Sequence, residues 1–250
     1  MKRNLCALSL AILGLTPIVN GGTEYESFEK EVIESNPEGP GFAAIGAWDS
    51  RYVLEGRDML VGDSLYGFTL EGEYAGFLAG AWLSHSPEAD YQEQNYFVEY
   101  GFELGPVEAY VSYMHLQFMS DNDQDNEVGG GIAVPDAIFG WTPALDAYYS
   151  DAAGGYFAEL SIAREFFITD QFVIVPTAIF GYNDGYIADG HNGANHVLLQ
   201  LIAAYAISEN FAIEGYIAQT FAIDSNPAQL AGDGNLYDFS FVGVGASIAF

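Results

Sequence analysis

The fold is decided by the stretch Tyr237-Asp-Phe-Ser-Phe-Val-Gly-Val-Gly-Ala-Ser-Ile-Ala-Phe250, with which the sequence ends. Apolar residues alternate with small ones along it, and this period of two predicts one β-strand with an apolar face and a face of small residues. A strand of this kind that finishes on an aromatic residue is typical of outer-membrane β-barrels, because the last strand closes the sheet against the first. The predicted assembly signal consists of Val242, Val244, Ala246, Ile248 and Phe250.

Similar segments of about ten to thirteen residues recur from Phe42 onward, separated by turn signals. At about 3.3 Å per residue and a tilt near 40°, such strands span an apolar band about 25 Å tall. The sequence therefore predicts an all-β fold, a transmembrane antiparallel up-and-down β-barrel of about 12 strands. The predicted strands are 42–56, 64–74, 77–86, 93–104, 107–118, 128–135, 144–151, 155–167, 171–183, 194–207, 211–222 and 237–250.

Two tight turns predict which residues share a face of the sheet. A two-residue hairpin loop makes its flanking residues pair, so Tyr74 must lie opposite Phe77 and Leu104 opposite Val107. Alternation from these apolar pairs predicts an outward face with Phe42, Trp48, Tyr52, Leu54, Tyr66, Phe68, Leu70, Tyr74, Tyr96, Val98, Tyr100, Phe102 and Leu104. The inward face is predicted to hold Asp49, Arg51, Glu55, Glu71, Glu73, Asn95, Glu99, Glu103, Glu159 and Glu214, with Arg51 as its only clear base.

An ordinary soluble sheet with one wet face shows the same alternation, so the aromatic residues have to decide between the two folds. A soluble sandwich gives tyrosines and tryptophans near strand ends no evident use, whereas barrels place them at both membrane interfaces. One girdle is predicted from Tyr74, Phe77, Phe102, Phe166, Tyr205, Phe211 and Phe250, and the other from Trp48, Tyr52, Tyr66, Tyr96, Tyr113 and Tyr156.

Connection lengths also favour a barrel. Alternate connections are long and polar, and those between them are short, as in barrels with short periplasmic turns and long external loops. One hairpin departs from this pattern, because the connection through Ile138–Pro143 is long and Ala152–Gly154 is short. The predicted external loops are 57–63, 87–92, 119–127, 184–193 and 223–236.

The start of the chain predicts export. A basic beginning, an apolar run from Leu5 to Leu15 and small residues up to Gly21 are typical of a signal peptide. The predicted organisation is therefore a signal peptide at 1–21, an acidic periplasmic lead-in at 22–41 and a barrel at 42–250. The lead-in is interpreted as a flexible tail, with a short helix that plugs the barrel as the alternative. The single cysteine, Cys6, falls within the predicted signal.

The chain is strongly acidic, with 6 basic and 35 acidic residues and a formal net charge of −29. Such a surface repels phosphate backbones, so nucleic acid is excluded as a partner. The acidity is compatible with a preference for cations and equally with a saline habitat. The predicted partners are outer-membrane lipid, the barrel-assembly machinery and small solutes or cations.

The chain resembles the TorF-type porin family, whose members carry an early strand of the form Ser-x-Tyr followed by Arg-Gly. Here it reads Ser50-Arg-Tyr-Val-Leu-Glu-Gly-Arg57, which matches at Ser50, Tyr52 and Gly56 and has Glu55 where the family has arginine. Further likeness lies in Tyr74-Ala-Gly-Phe-Leu-Ala-Gly-Ala-Trp82, in Ala147-Tyr-Tyr-Ser-Asp151 and in Gly155-Tyr-Phe-Ala-Glu-Leu-Ser161. The resemblance implies an outer-membrane barrel with a passive transport role and supplies no catalytic residues.

Three other groups of residues have possible chemistry, and each has a plainer interpretation. Asp121–Glu127 begins like a calcium loop, but an EF-hand needs Gly and Glu where Asn126 and Ile132 stand, so a solvated external loop is predicted. His191 and His196, with Asp184 and Asp189, match no metal-site spacing and are also assigned to an external loop. Ser112 and His115 are the one candidate catalytic pair, and parity places them on opposite faces.

The sequence thus predicts a porin-like barrel with a narrow, acidic lumen that prefers cations, and neither a cofactor nor a metal site. The inward carboxylates need water or partners, because burying them unpaired costs several kcal/mol each. Two alternatives remain: a structural barrel with a filled lumen that binds partners through its loops, and an outer-membrane hydrolase. Small inward residues, Ala43, Ala47, Gly101, Gly243 and Gly245, favour some open space.

Overall fold

The computed structural model describes residues 40–250, and the predicted signal peptide and nearly all of the lead-in lie outside them. Twelve long strands form the barrel, and three strands of two residues and one 3-10 turn occupy its connections. The barrel strands are β1 (Gly41–Asp49), β4 (Leu65–Tyr74), β5 (Phe77–Ser86), β6 (Tyr91–Leu104), β7 (Val107–Phe118), β8 (Asp123–Ala133), β9 (Thr142–Ser150), β10 (Gly155–Ala163), β12 (Phe172–Asp184), β13 (Gly193–Ser208), β14 (Phe211–Ala222) and β15 (Phe239–Ala249). The short elements are β2 (Val53–Leu54), β3 (Arg57–Asp58), β11 (Phe166–Phe167) and the 3-10 turn Ala231–Asp233.

The sheet is antiparallel, and it closes on itself through β1. This strand pairs with β4 on one side and with β15 on the other, from Ala43 opposite Ala249 to Asp49 opposite Gly243. Beyond the last ladder pair, Phe42 and Phe250 exchange two backbone hydrogen bonds of 3.1 and 2.9 Å, and their rings stack 6.2 Å apart. Closure removes the free edges that a sheet cannot leave unpaired in lipid. The predicted barrel of 12 strands is confirmed.

Side chains alternate between a buried inner face and an exposed outer face along every barrel strand. Both predicted tight turns form, with Tyr74 opposite Phe77 and Leu104 opposite Val107. The exposed face is a belt of large apolar residues that surrounds the barrel, as a bilayer-facing surface requires. In residues 40–250, no helix is long and apolar enough to cross a membrane.

Predicted strand boundaries are wrong by four residues or more at three places, and the smallest of these errors is at β10, which ends at Ala163 and not at 167. The first barrel strand ends at Asp49, because Glu55 and Gly56 adopt positive φ values of 45° and 70° and turn the chain back into the hairpin β2–β3. Tyr52, which was predicted to face outward in a girdle, is therefore buried, and Leu54 lies in the hairpin instead of on the barrel wall. Strand β8 begins at Asp123 and not at 128, because Asp123 to Glu127 continue the ladder with β7.

The connections at the end of the barrel opposite Phe250, here called the loop end, are 50–64, 87–90, 119–122, 151–154, 185–192 and 223–238. The other end, here called the terminus end, has the two-residue turns Ala75-Gly76, Gly105-Pro106 and Glu209-Asn210. The predicted exception is present, with eight residues between β8 and β9 at the terminus end and four between β9 and β10 at the loop end. The two longest connections, 50–64 and 223–238, lie at the loop end, whereas the terminus end has eight residues both between β8 and β9 and between β10 and β12.

The contact between Phe42 and Phe250 generates a prediction about barrel closure. Deleting Phe250 removes the stacked ring and two backbone hydrogen bonds at the seam, whereas Phe239→Leu removes a ring from the interior and leaves the seam intact. We expect the deletion to lower the amount of folded barrel in membranes several-fold and the Phe239 variant to lower it less. Heat-dependent mobility on gels measures the folded fraction, and normal levels of the truncated chain would contradict the prediction.

Candidate functional site: the barrel lumen

The inner face of the barrel has two chemically different walls. The inward residues of β12, β13, β14 and β15 form an apolar cluster, here called the apolar wall, which includes Val173, Val175, Ile179, Leu198, Ile202, Phe239 and Phe241. The inward residues of β1, β4, β6, β8, β9 and β10 include many carboxylates, and this surface is here called the acidic wall. Its buried members are Asp49, Glu71, Glu93, Glu99, Glu127, Asp146 and Glu159.

Tyrosine hydroxyls are the main visible partners of these carboxylates. Tyr216 on β14 donates to Asp49 on β1 over 2.5 Å, and Tyr110 on β7 donates to Asp146 on β9 over 2.7 Å. Tyr186 of the 185–192 loop donates to Glu127. A phenol supplies a donor without adding charge, so these bonds compensate buried carboxylates in a chain that has few bases.

Two glycines make the first two of these pairs possible. Gly243 lies between Asp49 and Tyr216 in the strand register, and Gly131 lies between Tyr110 and Asp146. A Cβ atom on either glycine would overlap both members of the pair. The inward Gly243 is predicted to leave open space in the lumen. The space is instead filled by Asp49 and Tyr216, which form a hydrogen bond across β15.

The structure places the predicted acidic residues on the inner side of the barrel. Asp49, Glu71, Glu99, Glu159 and Glu214 are buried there on barrel strands. Glu73 and Glu103 lie near the terminus end, where Glu103 is exposed. Glu55 is buried, but it reaches the interior through the hairpin and not along β1.

Sequence reasoning missed several inner acids. Glu93 lies an even number of residues from Glu99 on the same strand, so alternation also predicts it to face inward, although the predicted inward acids do not include it. Glu127 falls in the predicted external loop 119–127, whereas the structure places it within β8. No two-residue turn adjoins the strand of Asp146, so the sequence does not show whether this side chain faces inward. Its hydrogen-bond partner, Tyr110, lies on a different strand.

Arg57 is the buried base of the site, so the prediction that Arg51 is the only inward base is wrong. The Arg57 side chain is 2% exposed, and its Nη1 donates to the Asn195 Oδ1 at 2.8 Å. Its Nη2 lies 3.5 Å from a carboxylate oxygen of Asp233, and its Nε donates to the Gly232 carbonyl. The guanidinium thus joins the hairpin to β13 and to the 223–238 loop.

The hairpin is tied to other walls as well. Tyr52 donates to Glu93 on β6 over 2.8 Å, and Tyr148 on β9 donates to Glu55 over 3.0 Å. Val53 packs against the apolar wall. Because these contacts reach widely separated strands, the segment 50–64 crosses the lumen at the loop end.

Arg51 has a more exposed role at the base of the same segment. It pairs with Asp58, and its guanidinium lies 5.2 Å from the centre of the Phe239 ring. Tyr237 also donates to Asp58, over 2.6 Å. The Arg51 side chain is 28% exposed, so water screens the Arg51–Asp58 ion pair more than it screens the Arg57–Asp233 pair.

A β-bulge positions the residue that receives the hairpin tip. Gly181 pairs with His196 and Tyr182 with Ala194, so Asn195 is an extra residue in β13. Its side chain is buried, and its amide donates to the Glu55 carbonyl over 2.6 Å while its oxygen accepts from Arg57. Bulges commonly re-aim a side chain in this way.

Two predicted loop groups are placed differently from expectation. His196 lies in β13, is buried, and stacks on Phe157 with ring centres 6.3 Å apart, so its assignment to an external loop is wrong. His191 does lie in a loop, where its Nδ1 is 3.0 Å from an Asp233 oxygen. Within residues 40–250 no three His, Cys, Asp or Glu side chains are grouped so as to hold a metal ion.

The candidate catalytic pair is divided by the barrel wall. Ser112 pairs with Glu99 on the inner face, whereas His115 pairs with Tyr96 on the outer face and contacts Asn126 at 3.0 Å. The two side chains therefore cannot share a proton as a nucleophile and its base must.

The charge state of the hairpin anchor follows from its surroundings. Desolvation acts to raise the pKa of Asp233, but hydrogen bonds from the Asn226 amide and from His191 outweigh it and hold this pKa below the ordinary value. Burial lowers the pKa of Arg57, and Glu55 and Asp233 oppose that effect. Because the folded pKa of Asp233 is depressed, its contribution to the anchor is present at neutral pH and is lost in acid, below the ordinary carboxyl range.

The fold is similar to those of solved porins. The KdgM porin in complex with disordered oligogalacturonate matches with a TM-score of 0.55 at 9% identity, over 84% of this chain and 99% of the porin. The NanC porin matches with a TM-score of 0.52 at 12% identity, over 83% of this chain and 98% of that porin. At these identities the likeness concerns the fold, and the chain has a porin-like barrel.

No family model matches the chain, and no curated protein matches its sequence. Membership of the TorF-type family therefore stays a prediction, whereas the porin-like architecture that the resemblance implied is present.

The glycine at 243 allows a test of the tyrosine pairs. Gly243→Ala places a methyl group between Asp49 and Tyr216, so we expect the free energy of unfolding to fall by about 1 to 3 kcal/mol, the usual cost of overpacking. Gly46→Ala is the matched control, because a Cβ there meets no atom within 4 Å. Urea unfolding of the refolded barrel measures both, and equal stability of the two variants would contradict the pairing.

Arg57 allows a test of the hairpin anchor. Arg57→Met removes the guanidinium from Asn195 and Asp233, but Asn226 and His191 still donate to Asp233, so we expect a cost of about 1 to 3 kcal/mol. We expect the Asp58 amide, which donates to the Asn235 carbonyl, to exchange its hydrogen at least about tenfold faster. Arg51→Met should have a smaller effect because its pair is more exposed, and unchanged exchange in the Arg57 variant would exclude the anchor.

Proposed function

We propose that the protein is an outer-membrane porin-like barrel through which small solutes, with a preference for cations, diffuse along a narrow path beside the acidic wall. One observation carries this proposal: the inner face of a closed porin-like barrel holds many carboxylates. Within residues 40–250, Arg57 is the buried arginine that faces them. The signal peptide predicted at 1–21 supports export, and the apolar outer belt supports a membrane location.

The charge of the lumen supports a cation preference. Carboxylates around a pore attract cations and repel anions. Residues 40–250 contain three arginines and no lysine, and Arg164 lies outside the lumen. Tyrosine donors neutralise no charge, so the inner wall keeps an excess of acidic groups.

The same charge argues against sharing the ligand of one structural neighbour. The KdgM porin was solved with oligogalacturonate, which is a chain of acidic sugars. An acidic wall repels such a polyanion, because like charges at short range in a confined, partly desolvated space interact strongly. We therefore propose cations and small neutral solutes for this chain.

The hairpin sets the width of the proposed path. The segment 50–64 crosses the loop end and is held by Arg57, Tyr52 and Glu55, so it forms the constriction. Its contacts across the lumen are made by side chains, both polar and apolar, so displacing it would open the loop end without breaking a barrel strand pair.

A barrel with a filled lumen is the second candidate, and burial favours it. Many inward side chains are almost inaccessible to water, among them Trp82, Phe157, Leu198 and Glu159. Such a barrel would act as a membrane anchor that presents its loops to a partner. The two candidates differ in conductance.

Planar bilayers with a KCl gradient distinguish them. We expect a small conductance with a reversal potential of the sign for cation selectivity, and a weaker preference at high salt because the Debye length shortens. Glu71→Gln combined with Glu99→Gln should reduce the cation preference, since both lie on the inner wall. Glu209→Gln, in an exposed turn at the terminus end, is the control and should change it little.

A second variant tests the constriction. Replacing 51–62 with a short Gly-Ser linker should raise the conductance several-fold and retain cation selectivity. Anion-selective current would overturn the acidic path. An absence of current in both the intact and the shortened chain would favour the filled barrel.

A further inference from the structure

A large apolar groove lies on the outer surface of the barrel, away from the lumen. It has a volume of about 940 Å³. Residues of five neighbouring strands, β10, β12, β13, β14 and β15, form its floor, and the turn between β8 and β9 forms one rim. Because the outer belt faces hydrocarbon, an apolar groove in it has to be filled by an apolar group. The floor includes Ile162, Pro176, Ala178, Leu199, Leu201 and Ile217.

The rim is a tight aromatic turn. Ile138 and Trp141 exchange two backbone hydrogen bonds of 3.1 and 3.0 Å around Phe139-Gly140. Phe139 adopts a φ of 54°, which is costly for an aromatic residue, and its side chain is 92% exposed. The turn thus holds a large aromatic side chain at the terminus end of the groove, where one membrane interface would lie.

Arg164 places a positive charge at this rim. Its Nη1 donates to the Phe139 carbonyl over 2.9 Å, and its guanidinium lies 4.8 Å from the centre of the Phe166 ring. The ion pairs seen across residues 40–250 involve Arg51, Arg57 and His191. Arg164 instead contacts a backbone carbonyl and an aromatic ring, so in a chain with a formal charge of −29 a guanidinium lies beside the apolar groove.

We propose that this groove binds one membrane phospholipid, with an acyl chain along the floor and the phosphate against Arg164. The proposal rests on the membrane location given under the proposed function and not on conduction. A guanidinium offers planar paired donors that match a phosphate, and aromatic side chains favour the interfacial depth at which the phosphate lies. A second copy of the chain is the competing occupant, but its outer belt would offer apolar side chains and no phosphate to the Arg164 guanidinium.

Native mass spectrometry of the full chain in a nonionic detergent, with added palmitoyl-oleoyl phosphatidylglycerol, tests the site. We expect one retained lipid per barrel. Arg164→Gln should weaken retention about tenfold, as expected for the loss of a charge-assisted hydrogen bond. Ala178→Trp should abolish it by filling the floor. Leu70→Trp makes a similar change on the outward face of β4, outside the groove, and should leave retention unchanged.

Each outcome decides the proposal, provided that all variants show the heat-dependent gel shift of a folded barrel. Loss of the lipid in both groove variants and its retention in Leu70→Trp would support it. Retention unaffected by Arg164→Gln would overturn it, since the phosphate would then have no specific partner. A complex of twice the chain mass in place of the lipid adduct would overturn it in favour of a second copy. A wild-type barrel that conducts ions but retains no lipid would overturn this proposal alone.

Discussion

The interior of this barrel depends on one constraint, which is the shortage of bases to balance its inner carboxylates. Between residues 40 and 250 there are three arginines and no lysine, and one of the three, Arg57, is buried inside. A buried carboxylate needs hydrogen-bond donors, because desolvation without them costs several kcal/mol. Tyr216, Tyr110 and Tyr186 supply such donors. Tyrosines are predicted to form aromatic girdles on the outer surface. Inside the barrel, tyrosines also donate hydrogen bonds to buried carboxylates.

The tyrosine pairs also link the interior to the strand register. The bonds from Tyr216 and Tyr110 each join strands that are two apart, and each needs a glycine on the strand between them. A shift of β15 by one residue would turn Gly243 outward and bring Val242 or Val244 into the gap between Asp49 and Tyr216. The pairs therefore favour the observed register in addition to the backbone ladder, and they do so with groups that a purely apolar core would lack.

Most of the fold was predictable because the barrel rests on a period of two. Tight turns at 75–76 and 105–106 predict the parity of β4 to β7. Of the acids predicted to face inward from those turns, Glu71 and Glu99 are buried, whereas Glu103 is exposed. The prediction failed at Tyr52, where the Glu55-Gly56 turn leaves the barrel wall, since a strand pattern and an inserted hairpin look alike in sequence. Arg57 was missed for the same reason. Its partners Asn195 and Asp233 are more than 130 residues away in the chain, and the bulge that aims Asn195 has no local signal.

The outer surface and the inner face of the barrel carry different information about function. The outer surface and the ladder follow a pattern that many sequences satisfy, which is why a porin-like barrel is shared with KdgM and NanC at 9% and 12% identity. Fold likeness therefore carries no information on the solute, which must be decided by the inner residues. Those residues combine an acidic wall with an apolar wall and a hairpin held at one end by a buried arginine. Tyr52 joins the hairpin segment to Glu93 on the acidic wall, whereas Glu73 and Glu103 lie near the terminus end, away from the hairpin contacts. The acidic side of the interior therefore extends beyond the segment that would restrict the path.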